Sequence, residues 1–264
     1  MKLDLAERVV IVTGGSSGIG YVIAREFAKD GARVVITARN RDALQKAATT
    51  LSSESGGEVT GIASDATDQK KVDEFVAQVV GRHARVDVLV NCAASPAGEI
   101  STKIEELDTA ALRNALDVKV VGYTRFAKAV TPVMRRQRSG RIINIGGLTA
   151  REPQILSGLR NVAICHLSKA LSDQLGPDGI TVNTVHPGLI KTAYIAGVFA
   201  AEAKETGRAL GDIEAAYVAE TPTRRFTEME EVATTVKFLA SAAAASITGE
   251  SIAVDGGITR GIYI

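Results

Sequence analysis

Short runs of valine and isoleucine alternate with longer helical stretches along nearly the whole chain. Residues 9–13, 33–37, 59–63, 86–91, 141–145 and 180–185 have the continuous β-branched composition of strands that are buried on both faces. Residues 19–30, 41–51, 69–82, 109–138 and 159–175 have helical spacing or composition. The alternation predicts one α/β domain over residues 1–264, built on a doubly wound parallel sheet of about seven strands with helices on both faces.

Composition excludes several classes of partner. The 264 residues carry a net charge of +1, so no global field attracts nucleic acid or an anionic membrane. No apolar stretch approaches the ~20 residues that span a bilayer. The cysteines, Cys92 and Cys165, are far apart and do not form a disulfide framework, and charged residues interrupt the apolar start of the chain. These features predict a cytoplasmic protein with no membrane or nucleic-acid partner and no metal.

A glycine-rich turn, TGGSSGIG at residues 13–20, follows the first predicted strand and opens directly into a helix. Glycines allow a tight turn and a close backbone approach, so that pyrophosphate oxygens meet free N–H groups at the positive end of the helix. The context of strand, turn and helix favours a dinucleotide-binding Rossmann fold over a glycine-rich turn without a ligand.

The turn resembles the TGxxxGIG pattern of the short-chain dehydrogenase/reductase family, and four later segments are similar to that family in the same order: SDATD, NCAA, HPGLIKT and ITGESIAVDGG. The resemblance covers almost the whole chain. It implies an oxidoreductase with a nicotinamide dinucleotide, a small-molecule substrate, and contacts to the cofactor from Gly14, Ser16, Ser17, Gly18, Ile19, Gly20, Asp65, Ala66, Asn91, Ala93, Pro187, Gly188, Ile190 and Thr192.

The end of the second predicted strand indicates which cofactor binds. An NAD-selective enzyme places a carboxylate there for the ribose hydroxyls, whereas this chain has Ala38 followed by Arg39. The arrangement resembles that of NADP-dependent members, in which a guanidinium pairs with the 2′-phosphate. We therefore expect NADP(H), with Arg39 as the determinant and Arg41 as a less favoured second contact. The alternative is that Arg39 is a solvated turn residue.

All four catalytic positions of the family are substituted when the chain is aligned on GITVN at residues 179–183. The family lysine precedes that asparagine by about 22 positions, which leads to Asn161, and the family tyrosine falls four residues earlier, at Ser157. Gly147 takes the serine position and Lys119 the asparagine position. Choosing Lys169 as the lysine would put Cys165 at the tyrosine position and leave the helix eight residues short.

These substitutions predict altered proton delivery. A serine hydroxyl is much less acidic than a phenol, and Asn161 carries no charge to lower a pKa. Lys119 is either a partly buried proton donor or a structural amine that bonds helix carbonyls. Ser157 is better interpreted as a helix N-terminal residue, His186 and Cys92 as packing residues, and Tyr194 as a packed or exposed phenol that could swing inward.

Two functions remain compatible with the sequence. The first is an NADP-dependent oxidoreductase of a small carbonyl or alcohol compound that uses Lys119, water or the substrate itself for proton delivery. The second is a catalytically impaired NADP-binding pseudoenzyme that acts as a sensor or subunit. A polar, helical flap at about residues 190–225 favours the enzyme. The family resemblance further implies a homotetramer or homodimer, with residues 109–138 and 159–175 at the main interface.

Overall fold

The protein was analysed as a computed structural model that describes residues 3–94, 103–151 and 154–261. Seven parallel strands in the described residues form one sheet of order β3-β2-β1-β4-β5-β6-β7. They are β1 (Val9–Thr13), β2 (Arg33–Thr37), β3 (Val59–Gly61), β4 (Val88–Asn91), β5 (Gly140–Ile145), β6 (Ile180–Pro187) and β7 (Ser251–Val254). The predicted single-domain Rossmann-type sheet is confirmed, although β3 and β4 are shorter than expected.

Nine α-helices of the described chain connect and cover these strands. They are α1 (Gly18–Lys29), α2 (Arg41–Ser55), α3 (Gln69–His83), α4 (Thr109–Leu116), α5 (Gly122–Gln137), α6 (Ile155–Leu175), α7 (Ala193–Thr206), α8 (Leu210–Glu220) and α9 (Met229–Ala240). The stretch 109–138 was expected as one helix. A five-residue π-helical segment, Asp117–Val121, separates α4 from α5 instead.

Continuous apolar strands pack on both faces of the sheet. Val10 and Val12 of β1 contribute to the hydrophobic cluster on one face, which also contains Phe27. Val9 and Ile11 contribute to the cluster on the other face. Because successive side chains point to opposite faces, an uninterrupted Val and Ile run serves both layers.

The helices α7 and α8 lie in the chain between β6 and α9 and have a small hydrophobic core of their own. Leu189, Phe199 and Ile213 are buried together, and the rings of Phe199 and Tyr217 are 4.8 Å apart. This core fixes α7 against α8, so residues 190–225 form an ordered helical pair. No helix in the described ranges is both long enough and apolar enough to cross a membrane.

Candidate active site

A cavity of about 920 Å³ lies at the carboxyl ends of β1, β2, β4 and β5. One end is lined by Arg39, Asn40 and Asp65, which follow β2 and β3, and the other by Lys119, Arg160 and Tyr194. The strand order reverses between β1 and β4, and such a switch point is where open α/β sheets bind ligands. We call the first region the β2 end of the cavity and the second the α6 end.

The glycine-rich turn forms the floor of the cavity between these ends. Gly14 has a φ of 68°, and a Cβ placed on it would lie 2.9 Å from the Cα of Ala93. The Ser17 side chain makes no capping hydrogen bond to α1, so the first N–H groups of that helix need other acceptors, and the Cys92 sulfur is one of them, for the Gly20 N–H. Among the predicted contacts in this turn, Gly14, Ser16, Ser17, Ile19 and Gly20 line the cavity, whereas Gly18 does not.

Polar groups at the β2 end suit a dinucleotide. Within the described chain, the buried hydroxyls of Thr37 and Ser64 line the cavity without a hydrogen-bond partner, as expected for groups that await a ligand. Asp65 accepts hydrogen bonds from the Thr67 backbone N–H at 3.0 Å and its hydroxyl at 2.8 Å. These bonds, the backbone one foremost, lower the pKa of Asp65. Ala66 also lines the cavity.

Arg39 is exposed at the β2 end of the cavity, whereas Arg41, the first residue of α2, does not line it. Asn40 caps α2 by accepting a hydrogen bond from the Ala43 N–H at 3.0 Å, which fixes the chain direction immediately after Arg39. Asn40 and Ser64 both line the cavity and were not singled out from the sequence. A position directly after a predicted buried strand is the signal that could have found Asn40.

The chain after β4 is held by Thr13, whose hydroxyl accepts hydrogen bonds from the N–H groups of Cys92 at 2.9 Å and Ala93 at 3.1 Å. Both residues line the cavity. Asn91 does not; its amide donates to the Asn144 side chain at 2.9 Å inside the sheet. Burial raises the pKa of Cys92 to about 11, so this sulfur is a protonated thiol near neutral pH.

Four residues at and after the end of β6 were predicted to contact the cofactor, and one of them lines the cavity. Thr192 lines the cavity and caps α7 by accepting from the Ile195 N–H at 3.2 Å. Pro187 ends β6, and Gly188 packs so tightly that a Cβ would lie 2.4 Å from the Asp255 Cα. Ile190 is buried in the main hydrophobic core. These three residues shape the segment that carries Thr192.

The π-helical segment turns Lys119 into the interior, where the side chain is 4% exposed. Its Nζ donates to the backbone oxygen of Gly146 at 2.9 Å and to Oδ1 of Asn161 at 2.8 Å. An ammonium has three N–H donors, so one remains beyond these two bonds within the described part of the molecule. Lys119 also lines the cavity.

Asn161 occupies the centre of a short polar chain. Its Nδ2 donates to the Thr149 hydroxyl at 2.7 Å while its Oδ1 accepts from Lys119. Gly147 leaves the necessary space, because a Cβ there would lie 2.7 Å from Asn161 Nδ2. Ser157, in the first turn of α6, does not line the cavity and donates to the Gln154 side chain at 2.9 Å. Thus Lys119, Gly147 and Asn161 are brought together, and Ser157 is separate.

Two basic side chains, Lys119 and Arg160, line the α6 end of the cavity. Burial lowers the pKa of Lys119 to about 7, and the positive charge of Arg160 adds to that effect. Burial also lowers the pKa of Arg160, which is 8% exposed. Sequence reasoning missed Arg160 and Thr149. The only signal for Arg160 was a charged residue directly before Asn161 in an otherwise largely apolar stretch.

His186 lies beneath the site rather than in it. Its Nδ1 is 3.1 Å from the Gly147 N–H nitrogen, and its Nε2 is 3.4 Å from the sulfur of Cys165. Burial lowers the pKa of His186 to about 4, so the ring is neutral at pH 7. Neither His186 nor Cys165 lines the cavity, and Lys169 is exposed on α6. No cluster of three or more potential metal ligands occurs in residues 3–94, 103–151 and 154–261.

Comparison with known proteins agrees with this architecture. The fold and the cavity at its switch point define a Rossmann-type α/β protein, and residues 14–259 match the profile of the family described as "Enoyl-(Acyl carrier protein) reductase". Human dehydrogenase/reductase SDR family member 4 is 34% identical over 258 residues, which cover 96% of this chain and 88% of the human protein. The chain belongs to the short-chain dehydrogenase/reductase family and is an oxidoreductase of that type.

Two solved structures have closely similar folds. The crystal structure of L-sorbose reductase from Gluconobacter frateurii, complexed with NADPH and L-sorbose, has a TM-score of 0.92 and 31% identity and covers 99% of this chain and 100% of its own. NAD⁺-bound xylitol dehydrogenase has a TM-score of 0.88 and 25% identity, with coverage of 96% and 100%. The same fold therefore accommodates either nicotinamide cofactor.

Proposed function

We propose that this protein is an NADP(H)-dependent oxidoreductase that interconverts a carbonyl and an alcohol on a small molecule, with Lys119 as the proton donor. The observation that carries the proposal is the position of Lys119, a buried residue that lines the cavity and whose amine is held by Gly146 and Asn161. A proton donor with a pKa near the working pH is best suited to general acid catalysis. The pKa of Lys119, about 7, meets that condition.

The cofactor assignment rests on the β2 end of the cavity. Unpartnered buried hydroxyls of the described chain, the glycine cradle and the N-terminus of α1 all fit a dinucleotide. Arg39 supports NADP(H), because its guanidinium can pair with a 2′-phosphate while Ala38 offers no carboxylate to repel one. L-sorbose reductase, which is similar in fold, is described with NADPH. The dinucleotide, when bound, supplies or accepts the hydride.

In this proposal the residues at the α6 end of the cavity donate the proton and position the donor. In reduction, the Lys119 ammonium donates its remaining N–H to the carbonyl oxygen and transfers the proton as the alcohol forms. Asn161 positions the amine through Oδ1 and is itself held by Thr149, so the donor is fixed by packing and by two hydrogen bonds. Water returns a proton to the amine in the next cycle. Gly147 contributes space, and Ser157 contributes to the start of α6 rather than to proton transfer.

The helical pair α7 and α8 acts in this proposal as a substrate cover. Thr192 and Tyr194, at the start of the pair, line the same cavity as Lys119. A cover that excludes water strengthens electrostatic interactions at the reacting centre. This arrangement favours an enzyme over a protein that only binds NADP and acts as a sensor or subunit.

We also propose a homotetramer or homodimer that uses α4, α5 and α6. Leu159 and Val162, one turn apart on α6, are 51% and 52% exposed, and Val121, directly before α5, is 41% exposed. Exposed apolar groups on neighbouring helices are typical of protein interfaces. Light scattering of the purified protein at micromolar concentration tests the state, and a monomer contradicts it. The cytoplasmic location remains a prediction of the sequence.

The test of the catalytic proposal is a comparison of Lys119→Met with Lys128→Met, which changes an exposed lysine on α5. NADPH oxidation against a panel of small ketones, aldehydes and oxo acids gives kcat and KM, and fluorescence titration gives the NADPH affinity. We expect Lys119→Met to lower kcat by about 10²–10⁴-fold with little change in NADPH affinity. Unchanged kcat rules out Lys119 as the donor. A wild-type protein that binds NADPH and reduces nothing in the panel favours the pseudoenzyme.

A further inference from the structure

The peptide group between Gly146 and Gly147 is held on two opposite edges. Its oxygen, on Gly146, accepts from Lys119 Nζ at 2.9 Å, and its N–H nitrogen, on Gly147, is 3.1 Å from Nδ1 of His186. In a trans peptide the oxygen and the N–H point in opposite directions, so the lysine and the imidazole hold the same plane from its two sides. Glycine on both sides restrains rotation of that plane very little. Its orientation therefore depends on these hydrogen bonds.

The surrounding hydrogen bonds assign the tautomer of His186. The Gly147 N–H meets no acceptor other than Nδ1 within the described part of the chain. The Gly147 oxygen, 3.0 Å from the same Nδ1, already accepts from the Ala150 N–H at 3.1 Å. Nδ1 is therefore the acceptor, and Nε2 carries the hydrogen. Burial lowers the pKa of His186 to about 4, so this neutral ring persists at pH 7.

The other ring nitrogen connects His186 to α6. Nε2 is 3.4 Å from the sulfur of Cys165, and the Cys165 thiol donates to the backbone oxygen of Asn161 at 3.3 Å. The side-chain Oδ1 of the same Asn161 accepts from Lys119 at 2.8 Å. The two groups that hold the lysine amine are thus connected to each other through His186 and Cys165, and the ring of hydrogen bonds closes.

Packing in the sheet leaves the imidazole of His186 little freedom. The residue is 1% exposed near the end of β6, and a Cβ on Gly146 would lie 2.4 Å from its Nδ1. The Gly146 N–H donates to the Val185 oxygen at 2.8 Å, which continues the pairing of β5 with β6. The sheet therefore fixes the ring and the peptide against each other.

We propose that His186 is a positioning residue for proton transfer, which orients the peptide between Gly146 and Gly147 so that the Gly146 oxygen holds the amine of Lys119. The bond from the Gly147 N–H to Nδ1 also strengthens the oxygen of that peptide as an acceptor, because hydrogen bonds in a chain polarise one another. An acceptor for the ammonium favours its charged, donating form. The inference rests on the proposed function and adds to it a residue that does not line the cavity.

Other titratable groups also act on these two side chains. Those that act on His186 include Arg151, Lys119 and Asp255. Those that act on Lys119 include Arg160, Cys92 and Cys165. A substitution at position 186 leaves all of these groups in place, so the change that it produces in the behaviour of Lys119 reports on the lost hydrogen bond.

Two amides of different length distinguish the two ring nitrogens of His186. His186→Asn keeps an oxygen near the position of Nδ1, whereas His186→Gln moves the amide towards the position of Nε2. We expect His186→Gln to lower kcat for carbonyl reduction by about 10- to 100-fold with little change in KM or NADPH affinity, because a small misplacement of a reacting group costs this much. His186→Asn should retain most of kcat. The matched control is His166→Gln, on the exposed side of α6, which should leave kcat unchanged.

The pH profile of kcat distinguishes positioning from a purely structural role. In His186→Gln the fall of kcat should occur about 0.5–1 lower on the pH scale than in the wild type, because the ammonium loses a well-oriented acceptor. Cys165→Ala should give a smaller change in the same direction, and Cys165→Ser should restore the wild-type profile; this pair carries the test if His186→Gln does not fold. Unchanged kcat, or a lower kcat with an unmoved profile, overturns the proposal.

A titration by NMR separates this proposal from the proposed catalysis. With carbon-13-labelled lysine, the Lys119 signal is identified by its loss in Lys119→Met, and its titration requires no turnover. A lower Lys119 pKa in His186→Gln than in the wild type, in a protein that reduces nothing in the panel, supports the positioning and contradicts the catalysis. Equal Lys119 pKa values in an active wild type and an equally active His186→Gln contradict the positioning and keep the catalysis.

Discussion

Lys119 Nζ and Asn161 Oδ1 are 2.8 Å apart, and each side chain comes from a different helical segment. The lysine is carried by the π-helical segment before α5, and the asparagine by the second turn of α6. This contact therefore joins the segment before α5 to α6 through a buried amine and a buried amide.

Exchange of the two residues tests this relationship. Asn161→Lys alone places two amines against each other, and Lys119→Asn alone removes the donor to Gly146 and Asn161, so both should lower the urea midpoint of unfolding. The double variant, Lys119→Asn with Asn161→Lys, should recover stability. We expect a coupling free energy of about 0.5–3 kcal/mol in the double-mutant cycle. Additive effects would mean that the contact contributes nothing specific.

The activity should depend on pH through Lys119. Its pKa is lowered from 10.5 to about 7, so the ammonium that donates in reduction is present below pH 7 and is lost above it. We therefore expect kcat for carbonyl reduction to fall as the pH rises through about 7, and alcohol oxidation to rise over the same range. Steady-state profiles in both directions, measured at saturating cofactor, provide the check. A flat profile between pH 6 and 8 is incompatible with this donor.

The free energy of unfolding should also depend on pH through Lys119, and it should rise with pH. The unfolded lysine binds its proton up to about pH 10.5 and the folded one only up to about 7. Between these values the unfolded state holds more protons, so the free energy of unfolding should rise with pH. Urea unfolding at pH 7, 8 and 9 measures the slope, and Lys119→Met should reduce it. An identical slope in Lys119→Met would assign it to other groups.

Arg39 should determine the preference for NADPH. Arg39→Ala should weaken NADPH binding by about 10- to 100-fold, as expected for loss of one charge-assisted phosphate contact, and leave NADH binding unchanged. Arg41→Ala is the matched control, since Arg41 lies two residues away and does not line the cavity. Fluorescence titration with both reduced cofactors gives the ratio. Equal losses in the two variants would show that the two arginines share the contact.

Replacing Gly147 with alanine should destabilise the protein. In Gly147→Ala the new Cβ meets Asn161 Nδ2, so we expect a loss of about 1–3 kcal/mol in unfolding free energy together with lower activity. Gly81→Ala, in α3 with open space around it, should stabilise by about 0.5–1 kcal/mol instead. Adding Asn161→Ala to Gly147→Ala should return part of the lost stability. Wild-type activity in Gly147→Ala would show that Asn161 can move freely.

The sheet was predictable because its strands are apolar on both faces and its helices follow in strict alternation. The glycine-rich turn was also predictable, because the sequence of residues 13–20 alone determines it. The contact between Lys119 and Asn161 was not, because it spans 42 residues and depends on the π-helical segment. Nothing in the composition of residues 109–138 distinguishes that segment from ordinary α-helix, so a single continuous helix was expected there.

Arg160 shows a second limit of sequence reasoning. Counting back from Asn183 located Asn161, but the count carries no information about the neighbour before it. Whether a helical arginine reaches solvent or a cavity depends on the direction of the side chain and on the elements packed beside it. One such element, α4, comes from a distant part of the sequence.

The position of Lys119 depends on the number of residues in the π-helical segment. In an α-helix each residue advances the side-chain direction by about 100°, and a π turn absorbs one residue without shifting the residues that follow. Deleting one residue between Asp117 and Val121 would allow α4 and α5 to join as one regular helix and would carry Lys119 around the helix axis, away from Asn161. The catalytic geometry proposed here is therefore more sensitive to the number of residues in this turn than to the identity of most of them.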